Sequence, residues 1–140
     1  MIDDLIVDLE DRILEKELII SKNLSASISI TGNPTLLHIL LYNIIVNAIK
    51  YNRKNGKIIL SDGFSDGKYF LSIADSGIGM SETQLKNIFN RFTRANNEQD
   101  GHGLGLAIVD SIAHFHNITI EVISSPEEGS NFILYFPKLN

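Results

Sequence analysis

Asn43, Asn47 and Lys50 recur at helical spacing within the stretch 35–52. At ~100° per residue they fall within roughly 60° of arc, beside an apolar stripe. Two amide oxygens suit a hard cation, and an ammonium on the same line suits a phosphate. A solvated polar face would have the same local composition. Asparagine is a mediocre helix former, however, so two of them at i and i+4 in a helix otherwise made for packing ask for a reason.

Asp75-Ser76-Gly77-Ile78-Gly79-Met80 follows an apolar run, which puts a carboxylate at the edge of a core. The glycines allow a sharp turn or a close approach of backbone to a flat ligand. Taken alone, the composition also fits an ordinary turn. Gly101-His102-Gly103-Leu104-Gly105-Leu106 opens an apolar segment. Alternating glycines before a helix leave N–H groups free to face an anion, helped by the helix dipole. Neither a Gly-Lys-Ser/Thr sequence nor the dinucleotide glycine spacing is present, which excludes those two phosphate loops. Phe89-Asn90-Arg91-Phe92-Thr93-Arg94 sets two arginines between core-type aromatics and a polar stretch.

These clusters need elements to hold them. Leu5, Ile6, Leu9, Ile13 and Leu14 predict an amphipathic helix over 3–17. Alternation at Ser27-Ile28-Ser29-Ile30 predicts a short strand, and Gly32-Asn33-Pro34 a break, with Thr35 as N-cap of a helix to about Asn52. Leu36/Leu37, Leu40/Leu41, Ile44/Ile45 and Ala48/Ile49 give that helix a core face. The turn signals Asn55-Gly56 and Asp66-Gly67 bracket strands Lys57–Ser61 and Lys68–Ala74 as a hairpin. Ser81 with Glu82 starts a short helix, and residues 93–102 have the composition of a mobile loop. A second apolar helix is predicted from Leu104 to Phe115. Strands Ile118–Ile123 and Phe132–Phe136 then flank the turn Ser125–Gly129. The class is α+β: a two-layer sandwich with a mixed, mostly antiparallel sheet and about three helices on one face.

The 140 residues fit one domain, 1–140, with 1–17 as a linker-proximal helix. A net charge of −5 argues against a nucleic-acid or anionic-membrane surface while leaving room for a local phosphate site. Without cysteine there is no disulfide or thiolate-metal scaffold. No stretch reaches the ~18 apolar residues of a membrane span. The expectation is a cytoplasmic piece, monomeric when isolated, whose parent chain need not be soluble.

In combination and in this order, the clusters resemble the ATP-binding catalytic domain of sensor histidine kinases. That superfamily is shared with gyrase, heat-shock chaperone and mismatch-repair ATPases, and has the Bergerat-type fold. Asn43 to Tyr51 is similar to its asparagine box, and Asp75 to Gly79 to its first glycine box. Ile88 to Arg94 is similar to the phenylalanine box, and Gly101 to Ala107 to the second glycine box. Gly129-Ser130-Asn131-Phe132 with Pro137 is similar to the closing segment, with Ser130 where threonine is usual.

The resemblance implies Mg²⁺ and ATP as ligands. Asn47 would be the main magnesium ligand with Asn43 beside it, and Lys50 and Tyr51 would face the phosphates and lid. Asp75 would accept a hydrogen bond from the adenine amino group, and Gly77 and Gly79 would shape its pocket. Gly101, Gly103, Leu104 and Gly105 would wrap the phosphates, with Arg91 and Arg94 in contact. Asn43, Asn47 and Lys50 would carry the catalysis. Hydrolytic members of the superfamily have a glutamate where this chain has Asn43; an amide cannot take a proton from water.

The family's phosphoacceptor is a histidine followed by an acid. Here His38, His102, His114 and His116 precede Ile39, Gly103, Phe115 and Asn117, so none fits. The implied partner is a separate, histidine-bearing dimerisation domain and, beyond it, a response regulator. An anti-sigma-factor-type serine kinase of the same superfamily, or a silent nucleotide- or partner-binding module, are the alternatives.

Overall fold

The computed structural model describes residues 1–25, 30–89 and 102–138, with backbone only for 102–104. Its elements run α1 (Ile2–Asp8), α2 (Glu10–Glu15), β1 (Ile19–Asn23), α3 (Pro34–Lys50), β2 (Lys57–Ser65), β3 (Lys68–Asp75), α4 (Glu82–Lys86), α5 (His102–Phe115), β4 (Thr119–Ser124) and β5 (Ser130–Tyr135). The five strands form one sheet in the order β1-β2-β3-β5-β4. Only β1 pairs in parallel, with β2; the other neighbours are antiparallel. The α+β sandwich with a mixed, mostly antiparallel sheet is therefore the observed class.

Alternation decides which way each strand faces. Ile58 and Leu60 of β2, Leu71 and Ile73 of β3, and Phe132 and Leu134 of β5 are buried. They form one cluster with Leu40, Leu41, Ile44, Ile45, Ala48 and Ile49 of α3 and Leu106, Val109, Ile112 and Ala113 of α5. Each helix thus turns one apolar stripe to the sheet and leaves its polar positions at the rim, where ligand chemistry can take place.

The hairpin between β2 and β3 turns at Asp66 and Gly67, both at positive φ, as the Asp-Gly signal requires. Ser81 caps α4 through a reciprocal capping box with Gln84.

Several elements differ from the sequence expectation: β2 runs on to Ser65 and β5 begins at Ser130, two residues early. The helix over 3–17 is two helices, interrupted at Leu9 (φ −101°, ψ 9°). Leu5, Leu9 and Ile13 nevertheless stay on one buried stripe across the break. The N-cap of α3 is Asn33, whose side chain accepts the Leu36 N–H, rather than Thr35. Pro34 then occupies the first helical turn, where its missing N–H is no loss. β1 had no counterpart in the sequence reading, because its burial barely alternates at the sheet edge. Of the strand expected at 27–30, residues 27–29 lie outside the described residues and Ile30 belongs to no element. Finally, α5 begins at His102, two residues before the expected start.

Candidate functional site

The polar line on α3 meets the start of α5. Asn43 donates from Nδ2 to the Ile39 carbonyl at 2.8 Å, which ties down its amide and leaves Oδ1 directed away from its own helix. That oxygen lies 3.0 Å from where a β-carbon on Gly105 would stand. Glycine at 105 lets the first turns of α5 approach the asparagine face; any larger side chain would press on the Asn43 carbonyl. Asn47 follows one turn along α3 and is half-buried, while Lys50 is exposed with its ammonium 5.4 Å from the centre of the Tyr51 ring.

The loop after β3 packs against the C-terminal end of α3. Asp75 is the last residue of β3, paired with Ile58 of β2 and Ser130 of β5, so it leaves the sheet between two neighbours. Burial pushes its carboxyl above the ordinary range, opposed by backbone hydrogen bonds from Gly77 and Ser130. The Gly77 N–H donates to Oδ1 at 2.8 Å. An Asx-type bond of this kind orients the carboxylate, whose two oxygens between them can accept more than these two bonds.

Gly77 and Gly79 are required by close approach. A β-carbon on Gly77 would stand 2.3 Å from the Tyr51 carbonyl oxygen, and one on Gly79 1.9 Å from that of Ser125. Gly79 also has φ +70°, the left-handed region. The loop is pinned from both sides: the Ile78 N–H donates to Tyr51 O at 3.1 Å, and its carbonyl accepts the Glu127 N–H at 2.7 Å. Ser124 completes the support. Its Oγ accepts from Met80 N–H, donates to Gly129 O and lies 2.9 Å from the Ser130 hydroxyl.

Besides Ser124, the sequence reading missed three supporting residues. Asn52 is buried, donates to Lys57 O, and accepts from the Arg53 N–H and the Ser76 hydroxyl. Arg53 pairs with Glu127 at 2.7 Å across the base of the glycine loop. Lys16 reaches the last carbonyls of α3. A polar residue directly behind a buried helix was a usable signal for Asn52; nothing local marks Arg53 or Lys16.

Of the proposed site residues, Asn43, Asn47, Lys50, Tyr51, Asp75, Gly77, Gly79 and Gly105 lie on the α3 end, the β3 loop and the α5 start. Gly103 and Leu104 fall in the first turn of α5. Arg91, Arg94 and Gly101, with most of the expected 93–102 loop, lie outside the described residues. Among the described residues no group of three or more His, Cys, Asp or Glu side chains could hold a metal ion. No helix among them is long and apolar enough to cross a membrane.

This architecture has known counterparts. Residues 32–140 match the family model described as histidine kinase-, DNA gyrase B- and HSP90-like ATPase. The chain belongs to that ATPase family. It is 38% identical over 125 residues to the heme sensor protein HssS of Staphylococcus saprophyticus, covering 89% of this chain and 27% of that one. It thus spans about a quarter of that relative's length. Among solved structures, the catalytic domain of histidine kinase ThkA in a nucleotide-free form superposes with a TM-score of 0.84 at 27% identity, over 98% of this chain and 90% of that one. Full-length ShkA in complex with AMPPNP gives 0.82 at 27% identity, over 96% of this chain and 28% of that one.

Proposed function

We propose that the chain is the ATP-binding catalytic domain of a two-component sensor histidine kinase. It would pass the γ-phosphoryl group of ATP to a histidine on a separate dimerisation domain, from which a response regulator would be served. The observation that carries this reading is the meeting of the Asn43–Asn47–Lys50 line with Gly105 of α5, with a half-buried Asp75, held by Gly77, at the head of the loop packed against the end of α3. Likeness to histidine kinase catalytic domains over nearly the whole chain supports the kinase reading.

Each residue has a physical part in it. Asn47 and Asn43 offer neutral oxygens of the kind a magnesium ion accepts beside phosphate oxygens. Asn43 fits because the bond from its N–H₂ to Ile39 O fixes the amide with its oxygen turned away from the helix. Such an ion would neutralise phosphate charge. Lys50 would add a second positive charge, and the unpaired N–H groups of the first α5 turn would face the anion. Asp75, acceptor-only when ionised, would read the adenine amino group. Phosphoryl transfer asks mostly for positioning and charge neutralisation. With an amide at 43 in place of an acid, nothing in this set activates water, which suits a transferase.

Titration calorimetry tests the reading. The chain should bind Mg²⁺-ATP with ~4–8 kcal/mol, micromolar to near-millimolar. Asn47→Ala should lose at least tenfold. Supplied with a histidine-bearing helical dimer from a related kinase, the chain should label it with acid-labile phosphate while leaving itself unlabelled. Absence of binding at millimolar nucleotide, or indifference to Asn47→Ala, would sink the assignment.

A further inference from the structure

Lys16 follows α2, outside the family-matched region, and its side chain crosses to the end of α3. Its ammonium donates to three main-chain carbonyls there: Ile49 at 2.9 Å, Lys50 at 2.6 Å and Asn52 at 3.1 Å. Ile49 and Lys50 end α3 and Asn52 follows it; the last carbonyls of a helix lack the usual i+4 partner and carry the negative end of the dipole, so an ammonium with three donors suits them in sign and can serve all three. The main chain is fastened in parallel, with Asn55 N–H on Lys16 O at 2.8 Å and Ile19 N–H on Gly56 O at 2.9 Å. Behind Lys16, the helices α1 and α2 are anchored in the core by Leu5, Leu9 and Ile13.

What this clamp holds is the hinge of the site. Between the carbonyls it binds lies that of Tyr51, which accepts the Ile78 N–H and leaves no room for a side chain on Gly77. Lys50 and Tyr51 are themselves site residues. We propose that Lys16 is a positioning residue for the nucleotide site, fixing the end of α3 against which the Asp75–Gly79 loop is set. The residues before the family-matched region are thereby part of the binding machinery. Movement of α1 and α2 would be transmitted to nucleotide affinity through the Lys16 ammonium, with the main-chain bonds beside it. This deepens the ATP-binding reading and rests on it.

The experiment compares the wild-type chain with Lys16→Met, Lys16→Arg and Ile13→Val by ATP calorimetry below the melting range. Ile13→Val trims the same N-terminal unit without touching the carbonyls, so it reports simple loss of stability. Lys16→Met should weaken ATP about tenfold, Lys16→Arg should recover to within about threefold, and Ile13→Val should stay within twofold of wild type. Lys16→Met binding like wild type, or Ile13→Val losing as much, overturns the proposal. Hydrogen exchange supplies a readout independent of nucleotide, and Lys16→Gln serves for it if the methionine variant does not fold. The Ile78 amide should lose protection while Ile73, inside β3, keeps it; equal protection at Ile78 overturns the coupling. Failure of the wild-type chain to bind ATP would instead remove the underlying reading, and the exchange result would still judge the clamp.

Discussion

At the N-terminal end of α3 side chains accept from backbone N–H groups, whereas at the C-terminal end a side chain and a loop N–H donate to backbone carbonyls. Asn33 caps the first turn from its Oδ1, and His116 Nε2 accepts the Asn33 N–H at 3.0 Å while its Nδ1 bonds Ile112 O. Beside this end lies a cavity of about 580 Å³ bordered by Met1, Pro34, Leu37, Leu40, Leu71 and Phe136. The other end has Lys16 on three carbonyls and the glycine loop on a fourth. The first end borders side chains and a void, which can yield; the second is packed against the backbone of the glycine loop, which has less room to. The stiffer end is the one that carries Asn47, Lys50 and Tyr51, and holding groups to within a fraction of an ångström is what the proposed charge-neutralising site would require.

The largest effects should come from adding a methyl group at each end. A β-carbon on Gly77 meets the Tyr51 carbonyl at 2.3 Å, backbone that has nowhere to go. On Gly32 it meets His116 Cδ2 at 2.7 Å and Leu37 Cδ1 at 2.9 Å, both side-chain atoms. Gly77→Ala should cost about 3 kcal/mol, the upper end of overpacking, and Gly32→Ala about 1 kcal/mol. Urea melts of both variants check the ranking. Equal losses would mean that the two ends are equally pliant.

Next come the two asparagines that follow and precede the helix. Asn52→Ala removes a buried amide that bonds the Lys57 carbonyl, the Arg53 N–H and the Ser76 hydroxyl, of which the carbonyl keeps the Ser76 N–H, at a cost of ~1–3 kcal/mol. Asn33→Ala removes an exposed cap, worth about 1 kcal/mol. Thermal unfolding with both single variants and the double variant also asks whether the ends act independently. At opposite ends of a 17-residue helix they should add within ~0.5 kcal/mol.

The same contrast explains what could be read from residues alone. Asp66-Gly67 and Asp75-Ser76-Gly77 look alike in composition, and each follows a strand. The first is a hairpin turn that its own dipeptide explains. The second differs only because residues far away in sequence, Tyr51 and Ser130, crowd and bond it. The apolar periods of α3 and α5 and the hairpin were legible because each depends on neighbours within one element. β1 was not, since its parallel pairing to β2 is decided 38 positions away, Ile19 facing Lys57. Lys16 and Arg53 look like ordinary surface charges until the fold brings carbonyls and Glu127 to them. The asparagine and glycine clusters were recognisable as a set by their order, and α3, β3 and α5 supply the geometry that joins them.

The smallest change in stability is expected at Asp75, and its sign carries the information. Burial raises the carboxyl above the ordinary 3.8, Gly77 and Ser130 backbone bonds notwithstanding. A raised carboxyl binds its proton more tightly folded than unfolded. Its contribution is therefore most favourable below the unfolded value of 3.8 and is lost as pH rises through the folded one. Asp75→Asn keeps an Oδ1 for the Gly77 N–H and never ionises. At neutral pH the variant should be as stable as wild type, or more so by less than about 1 kcal/mol, since partial exposure tempers the burial cost. That difference should shrink as pH falls toward 3.8 and below. Urea melts at several pH values measure it. If the aspartate is instead a structural cap for the turn, Asp75→Asn will lose stability at neutral pH and the gap will not follow this course. Nucleotide titration on the same two proteins completes the separation. An ionised carboxylate can accept from adenine's amino group but confronts guanine's carbonyl with a second acceptor, a mismatch of ~1–3 kcal/mol. An amide can turn its N–H₂ toward guanine. Asp75→Asn should thus narrow the preference for ATP over GTP at little cost in stability, and an unchanged ratio would rule out Asp75 as the reader of the base.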